Sequence, residues 1–279
     1  MNAVVFGGTG FIGSHLTALL SQNNFTTVVA SLNGGPGITR VDVSTRKGFE
    51  KLPANAEAVF NMASLIRSHD PFDPRFMEVN AIGAKNVAAY ARKIGAQLIH
   101  SSSASVYGTP LRLPVKEEES NPESPYAKSK LEGEKLCAEA ADDLTILRYS
   151  SVFGPGQIKE SVLPIFLDKS VRGENLRVTD PQRTQDFVFV GDVVSANLHF
   201  LNGRLKGTYN IGSGTETSMQ ELAKTAIRVS KSGSRLTVDS SSPKSGFRMR
   251  LDISKAKKAG FSPKTDLETG LKRTLEGLK

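Results

Sequence analysis

Tyr126 and Lys130 stand four residues apart behind Pro125, at the head of a helical pattern that runs through Leu131, Leu136 and Ala140. That separation puts the phenol and the amine on one helix face, a turn from each other. A free phenol titrates near about 10. A neighbouring ammonium favours the phenolate and is expected to bring Tyr126 toward working pH, where it can exchange a proton with a hydroxyl or a carbonyl. Ser101, Ser102 and Ser103 close the stretch from Gln97 to His100, which reads as a strand, and Ser103 can hydrogen-bond the same reacting oxygen. A serine, a tyrosine and a lysine around one alcohol carbon suit hydride transfer, and hydride transfer needs a carrier beside them.

Residues 3–16, AVVFGGTGFIGSHL, supply a place for one. Ala3 to Phe6 form a short apolar run of β-forming type, and glycines at 7, 8, 10 and 13 follow at once, so a buried strand feeds a tight turn and then a helix. Gly7 makes the turn, Gly10 lets backbone lie close to a pyrophosphate, and Gly13 lets the helix pack on the strand. The helix N-terminus, with Phe11 and Ile12, adds free N–H groups and a positive dipole end. This is a dinucleotide cradle, spaced GxxGxxG, and Lys130 can also hold the nicotinamide ribose. Folds of this type place an acid after the second strand to accept from the adenosine ribose. Phe25 to Ala30 is that strand, and the position falls at Ser31. Serine does not repel a 2′-phosphate, so the site leans toward NADP over NAD, with Arg40 as a phosphate partner. Asp42, after a third short strand, suits either an adenine contact or a helix cap.

Composition narrows the class. A chain of 279 residues, 38% hydrophobic and 23% charged, is that of an ordinary globular protein with room for one sizeable core and a smaller lobe. No apolar run approaches membrane-span length, and the sequence enters its first strand without a basic, apolar leader, so a cytoplasmic protein with no membrane partner is expected. The single cysteine, Cys137, falls in a helical pattern and reads as packing in a reducing compartment. The net charge of +8 raises nucleic acid as a partner, but the cations are scattered and no aromatics interleave them. An anionic small molecule is the better use of that charge. Histidines at 15, 69, 100 and 199 are scattered, and no metal-ligand spacing occurs.

Further strands are expected at Ala58 to Ala63, where ribose and nicotinamide can lie against backbone, and at Leu144 to Tyr149. Between them, Asp73 to Ala91 has helical spacing, with apolar positions at 76, 79, 82, 87 and 90 and small residues at 83 and 84. Gly154, Pro155 and Gly156 break the chain away from the sheet. A helix at Val162 to Val171 and a strand at Leu176 to Val178 begin a smaller lobe; Phe187 to Val190 returns to the main domain, and Tyr209 to Gly212 crosses again. Met219 to Val229 forms a helix with Leu222 and Ile227 inward. Ser230 to Ser245 reads as a mobile flap, followed by Lys244, Arg248 and Arg250 as cations for a diphosphate. The expected architecture is α/β, a Rossmann-type doubly wound parallel sheet formed by residues 1–155 and 184–211. A smaller C-terminal α/β substrate lobe takes 156–183 and 212–279.

With these motifs in order, the chain resembles the extended short-chain dehydrogenase/reductases of the NAD-dependent epimerase/dehydratase family, over nearly its whole length. The motifs are GGTGFIG, Asp42 with Val43, AVFNMAS, EVNAIGAKNV, SSSASVYG with Tyr107, SPYAKSK, LRYSSVFGPGQ, QDFVFVGDVV, YNIGSG and LDISKA. The resemblance implies Tyr126 as acid/base, Lys130 as its partner, Ser103 as the hydroxyl contact and Gly7, Gly10 and Gly13 on the cofactor. It extends cofactor contacts to Val43, Met62, Ala63 and Ser64, and to Asn80, Ser101 and Tyr149. It also implies a homodimer through two helices of the main domain.

Departures from the pattern carry information. Dehydratases of the family have an Asp-Glu pair directly after the catalytic Ser or Thr; here Ala104 and Ser105 stand there, which argues against elimination of water. The usual substrate-contacting Asn falls at Ser151, and the usual phosphate-holding Arg falls at Gln185, with Arg183 as a substitute; Arg67 and Arg248 complete the substrate set. The expected activity is hydride transfer at C4 of a nucleotide-activated hexose by an NAD(P)-dependent nucleotide-sugar epimerase. An NADPH-dependent reductase of a nucleotide-linked 4-keto sugar is the alternative, and a dinucleotide sensor on the same fold is a third reading.

Overall fold

A computed structural model of the chain describes residues 1–157, 160–239, 241 and 245–277; Lys244 lies outside the described residues. In chain order the first strands are β1 (Asn2–Phe6), β2 (Thr26–Ser31), β3 (Ile38–Arg40), β4 (Ala58–Asn61), β5 (Gln97–Ser103) and β6 (Leu144–Tyr149). The later ones are β7 (Ser151–Phe153), β8 (Leu176–Val178), β9 (Thr184–Gln185), β10 (Phe187–Phe189), β11 (Gly207–Ile211), β12 (Thr217–Ser218) and β13 (Leu236–Val238). Seven form one parallel sheet in the order β11-β6-β5-β4-β1-β2-β3. The chain runs outward from β1 to β3 and crosses back to β4, so the order reverses between β1 and β4. Ligands of open α/β sheets sit outside the strand C-termini at that reversal.

Helices cover both faces, which is why β1 and β4 read as continuous apolar runs. They are α1 (Phe11–Gln22), α2 (Arg75–Met77), α3 (Gly83–Lys93), α4 (Pro125–Ala140), α5 (Val162–Val171), α6 (Val190–Asn202), α7 (Met219–Ser230), α8 (Ser254–Lys258) and α9 (Leu267–Glu276). Val5 and Phe60 face a core with Leu16 of α1 and Phe200 of α6. Val4 and Leu98 face the opposite core, with Val87 of α3 and Cys137 of α4. Cys137 is fully buried, as packing requires.

The expected helix over 73–91 is α2 and α3 joined by a π-helical turn, Glu78–Ile82. Ile82 ends that turn and is exposed, so it does not share the buried face of Phe76 and Val87. β10 does not join the main sheet; it pairs with β7, and the chain returns to the sheet through α6 and β11. The expected flap holds a strand: β13 pairs in parallel with β8, anchoring its middle. Residues 240 and 242–244 of that flap lie outside the described residues. Among the described residues no helix is long and apolar enough to cross a membrane, and no cluster of His, Cys, Asp or Glu is set to hold a metal ion.

Candidate active site

The turn after β1 is shaped by what a side chain would strike. Gly7 has φ +72°, and a Cβ there would lie 2.6 Å from the Ala63 nitrogen at the end of β4. A Cβ on Gly13 would lie 2.2 Å from the Gly7 carbonyl oxygen. Gly10 caps α1 with extended backbone and no side-chain hydrogen bond, so the first N–H groups of α1, at Phe11, Ile12 and Gly13, point outward at the reversal of strand order. An anionic diphosphate fits there.

At the end of β2, the Ser31 hydroxyl meets Thr9 Oγ1 at 2.7 Å, and Arg40 lies directly across the β2–β3 register from Ser31. A cavity of about 740 Å³ opens beside them, lined by Asn33, Arg40 and Lys51 with no carboxylate among its lining residues. Those donors fit a phosphate on the adenosine ribose. Asp42 caps no helix, because a turn follows it: its Oδ1 accepts from Ser44 N at 2.9 Å and Ser44 Oγ at 2.6 Å, which hold its carboxyl below the usual range. Val43 is buried against Gly83.

α4 begins where its sequence says it should. Ser124 accepts from Ala127 N at 3.1 Å and Pro125 occupies the first turn. Tyr126 then presents its hydroxyl to the side chains of Ser103 and Ser64. Lys130, 2% exposed, donates from Nζ to the Ser101 carbonyl at 2.6 Å. The expected electrostatics are corrected here. Burial pushes the Tyr126 phenol up rather than down, with the Ser103 and Ser64 hydroxyls pulling the other way. Burial also lowers the Lys130 ammonium to about 8, while Cys137 and Glu134 act upward. The amine is held on the strand, and the dry site outweighs its pull on the phenol.

Ser64 donates to Asn80 Oδ1 at 3.0 Å. Asn80, expected on the cofactor, has its side chain committed otherwise: Oδ1 also accepts from Leu65 N at 2.8 Å, and Nδ2 donates to Leu65 O at 2.9 Å and Ser129 Oγ at 3.0 Å. It pins the Ser64 loop to α4. Tyr149, likewise expected on the cofactor, gives its hydroxyl to Asn197 Oδ1 at 3.0 Å under α6 and touches Met62. Ser101 Oγ bonds Asn61 O at 2.7 Å. The hydroxyls of Ser101 and Tyr149 are therefore both engaged within the fold.

A cavity of about 280 Å³ adjoins Ser103 and is lined by Ser105, Glu123, Ser151, Gln185, Phe247 and Met249 among others. Ser151 Oγ donates to Gln185 Oε1 at 3.2 Å. The buried Ser105 Oγ has no partner. Next to Gln185, the fully buried Asp186 accepts from Ser213 N at 2.7 Å, Gly214 N at 3.1 Å and Leu251 N at 3.1 Å.

Residues 3–212 match the model of the NAD dependent epimerase/dehydratase family. The chain belongs to this family. It is 32% identical to a UDP-glucose 4-epimerase of Mycolicibacterium smegmatis, covering 99% of this chain and 98% of that one. Among solved structures it is similar to the UDP-glucose 4-epimerase of Thermotoga maritima with UDP-glucose, with a TM-score of 0.87 and 30% identity over 100% of this chain and 98% of that one. It is also similar to RMD of Pseudomonas aeruginosa complexed with NADPH, with a TM-score of 0.86 and 26% identity over 99% and 98% of the two chains. The protein is accordingly an NAD(P)-dependent enzyme of the nucleotide-sugar epimerase kind.

Within this epimerase/dehydratase family member, the three arginines expected to meet substrate each have a partner. Arg67 donates to Ser161 Oγ at 3.3 Å, Arg183 stacks 5.2 Å over the Phe247 ring, and Arg248 forms a two-pronged pair with Glu216 at 2.6 and 2.8 Å. Arg248 would have to leave Glu216 to reach a diphosphate. Sequence reasoning missed Glu123, Phe247 and Met249 on the cavity wall, because they come from segments far apart in the chain. It also passed over Glu134 and Arg148, although an arginine inside LTILRY, an otherwise apolar strand, was a signal.

Proposed function

We propose that the protein interconverts the C4 configurations of a UDP-linked hexose. The observation that carries this reading is the approach of the Tyr126 hydroxyl to Ser103 at the end of β5, two strands from the β1 end that carries the Gly7 turn. Ala104 and Ser105 beside that hydroxyl leave no acid pair for removing water. The cavity adjoining Ser103, with its hydroxyl and amide lining, has room for one sugar ring.

When bound, the oxidised nicotinamide supplies a hydride acceptor that later returns the hydride, and a fixed positive charge near the phenol. The amides at the head of α1 hold its diphosphate, and Lys130 holds its ribose. Tyr126, once ionised, takes the proton of the 4-hydroxyl as the C4–H bond breaks, and Ser103 donates a hydrogen bond to the oxygen that becomes the ketone. Tyr126 gives the proton back after the ketone has presented its other face, so atoms and charge balance with no net redox change. Ser31, Arg40 and Lys51 support NADP as the dinucleotide. The same reading includes a homodimer through α3 and α4, which sedimentation would refute by showing a monomer at micromolar concentration.

The purified protein incubated with UDP-galactose is expected to form UDP-glucose without consuming added NADPH, and to release NADP when denatured. Tyr126→Phe should lower kcat by about 10²–10⁴. NADPH consumed mole for mole with a 4-keto sugar would replace this reading with a reductase, and full activity in Tyr126→Phe would sink the proposed acid/base.

A further inference from the structure

Three residues of α4 spaced by four meet three successive residues of β5. Tyr126 faces Ser103, Lys130 Nζ donates to Ser101 O, and Glu134 Oε1 accepts from Ser102 Oγ at 2.5 Å. Glu134 is 5% exposed, and nothing in the chemistry above uses it. Its carboxylate also takes both prongs of Arg148 on β6, Nε at 2.8 Å and Nη2 at 2.6 Å. Arg148 continues through Nη1 to Glu117 O at 2.6 Å and to the Tyr107 hydroxyl at 3.1 Å, and Tyr107 donates to Asn210 Oδ1 at 2.5 Å. A buried ion pair is weak evidence for stability, because desolvation offsets much of its Coulombic gain and apolar residues of like volume often serve as well. The placement of this one, in line with the proton-handling pair, calls for another account.

We propose that Glu134 is a positioning residue of the reaction centre, holding the α4 stripe in register with the end of β5 and supplying the anion that faces Lys130; this rests on reading Tyr126 and Lys130 as the proton-handling pair. The groups around Lys130 can be named from every side. Tyr126, Glu134 and Cys137 come from α4. His100 comes from β5, with Nδ1 3.1 Å from Asn61 Nδ2 and its ring kept neutral by burial and by Lys130 itself. Arg148 from β6 reaches this group through Glu134. Glu134 acts upward on the lysine and Arg148 does not act on it directly, so deleting the carboxylate alone removes the anion beside Lys130 and leaves the Arg148 guanidinium buried without its partner.

The test follows the Lys130 side-chain signal by NMR of ¹³Cε-lysine-labelled full-length protein without substrate, identified as the signal lost in Lys130→Met. In Glu134→Gln its titration midpoint is expected to fall by about one pH unit. In Arg148→Met it should not fall. Loosened packing would instead admit water in both variants and move both midpoints up. An unchanged or raised midpoint in Glu134→Gln overturns the proposal. Should a single variant fail to fold, the double variant Glu134→Leu/Arg148→Met keeps the volume without the charges; its midpoint is expected to fall, and a midpoint equal to wild type overturns the proposal. Because this readout needs no turnover, it is separable from the enzymatic reading: a wild type that epimerises no nucleotide sugar defeats that reading while the lysine midpoint still decides this one.

Discussion

The buried stripe of α4 and the exposed arginines at 67, 183 and 248 use charged side chains in opposite ways. Lys130 and Glu134 are buried, and each is matched to a β5 residue within hydrogen-bond reach. Arg67, Arg183 and Arg248 are exposed, and their partners Ser161, Phe247 and Glu216 are 94, 64 and 32 positions away in sequence. In the dry region each polar group needs a partner close by, and helix periodicity supplies it, so spacing alone exposes the arrangement. At the wet surface water satisfies any cation, and tertiary structure chooses among many partners. The chemistry is thereby built on parts that tolerate little change, and recognition on parts that tolerate much.

The largest expected effect lies at the backbone of the buried region. Gly13→Ala puts a methyl group 2.2 Å from the Gly7 carbonyl oxygen and 2.8 Å from Gly8 Cα, both backbone atoms, so α1 must shift away from the turn. The shift breaks the alignment of its first amides on the diphosphate. Dinucleotide affinity is expected to fall by about two orders of magnitude, the worth of two charge-assisted hydrogen bonds. Calorimetric titration measures it, and a fall of less than about threefold would mean that the cradle is not the binding element.

The next effect separates function from stability. Lys130 is lowered from its ordinary 10.5 to about 8 in the folded chain. Between those values the unfolded chain binds more protons than the folded one, so this group makes stability rise with pH from about 8 to 10.5 and costs stability below that window. The cost at neutral pH is about 3 kcal/mol, partly offset by the bond to Ser101 O, worth about 1 kcal/mol. Lys130→Met is therefore expected to lose activity while its Tm at pH 7 rises by a few degrees, and to flatten the stability gain above pH 8. A variant that is both inactive and less stable would show that the amine supports the fold.

How much of this could be read from the chain follows the same divide. The glycine turn, the serine run, the Ser124 cap and the 126/130 pair are local, and each lies where spacing puts it. The direction of the Tyr126 shift was not legible: spacing gives the distance along a helix, but not that Nζ is held on Ser101 O or that the phenol is desolvated. Glu134 escaped because a glutamate in a helix ordinarily faces water, and only the fold brings Arg148 to it. The pairing of β13 with β8 was hidden in a Ser- and Gly-rich stretch whose composition reads as loop, since three residues between turns leave too little periodicity to detect. Asn80 was placed on the cofactor by resemblance; the π-turn that aims its amide at Ser64 and Ser129 has no signature in the spacing of the apolar residues.

The smallest effect belongs to the exposed arginines. Arg248 is 62% exposed and holds Glu216, whose carboxyl it keeps below the usual range. Exposed pairs of this kind contribute about 0–1 kcal/mol, and water replaces the guanidinium when it is removed. Arg248→Ala should therefore leave Tm within a few degrees and KM for the nucleotide sugar within about threefold. Were the arginine instead to leave Glu216 for a substrate phosphate, two charge-assisted bonds would be lost and KM would rise more than about tenfold with kcat unchanged. Steady-state kinetics at two salt concentrations distinguish the cases, because a phosphate contact weakens with salt while a neighbour-paired cation leaves KM flat. A large, salt-sensitive rise would place Arg248 in the substrate site and give an exposed arginine a part in recognition that its resting contacts conceal.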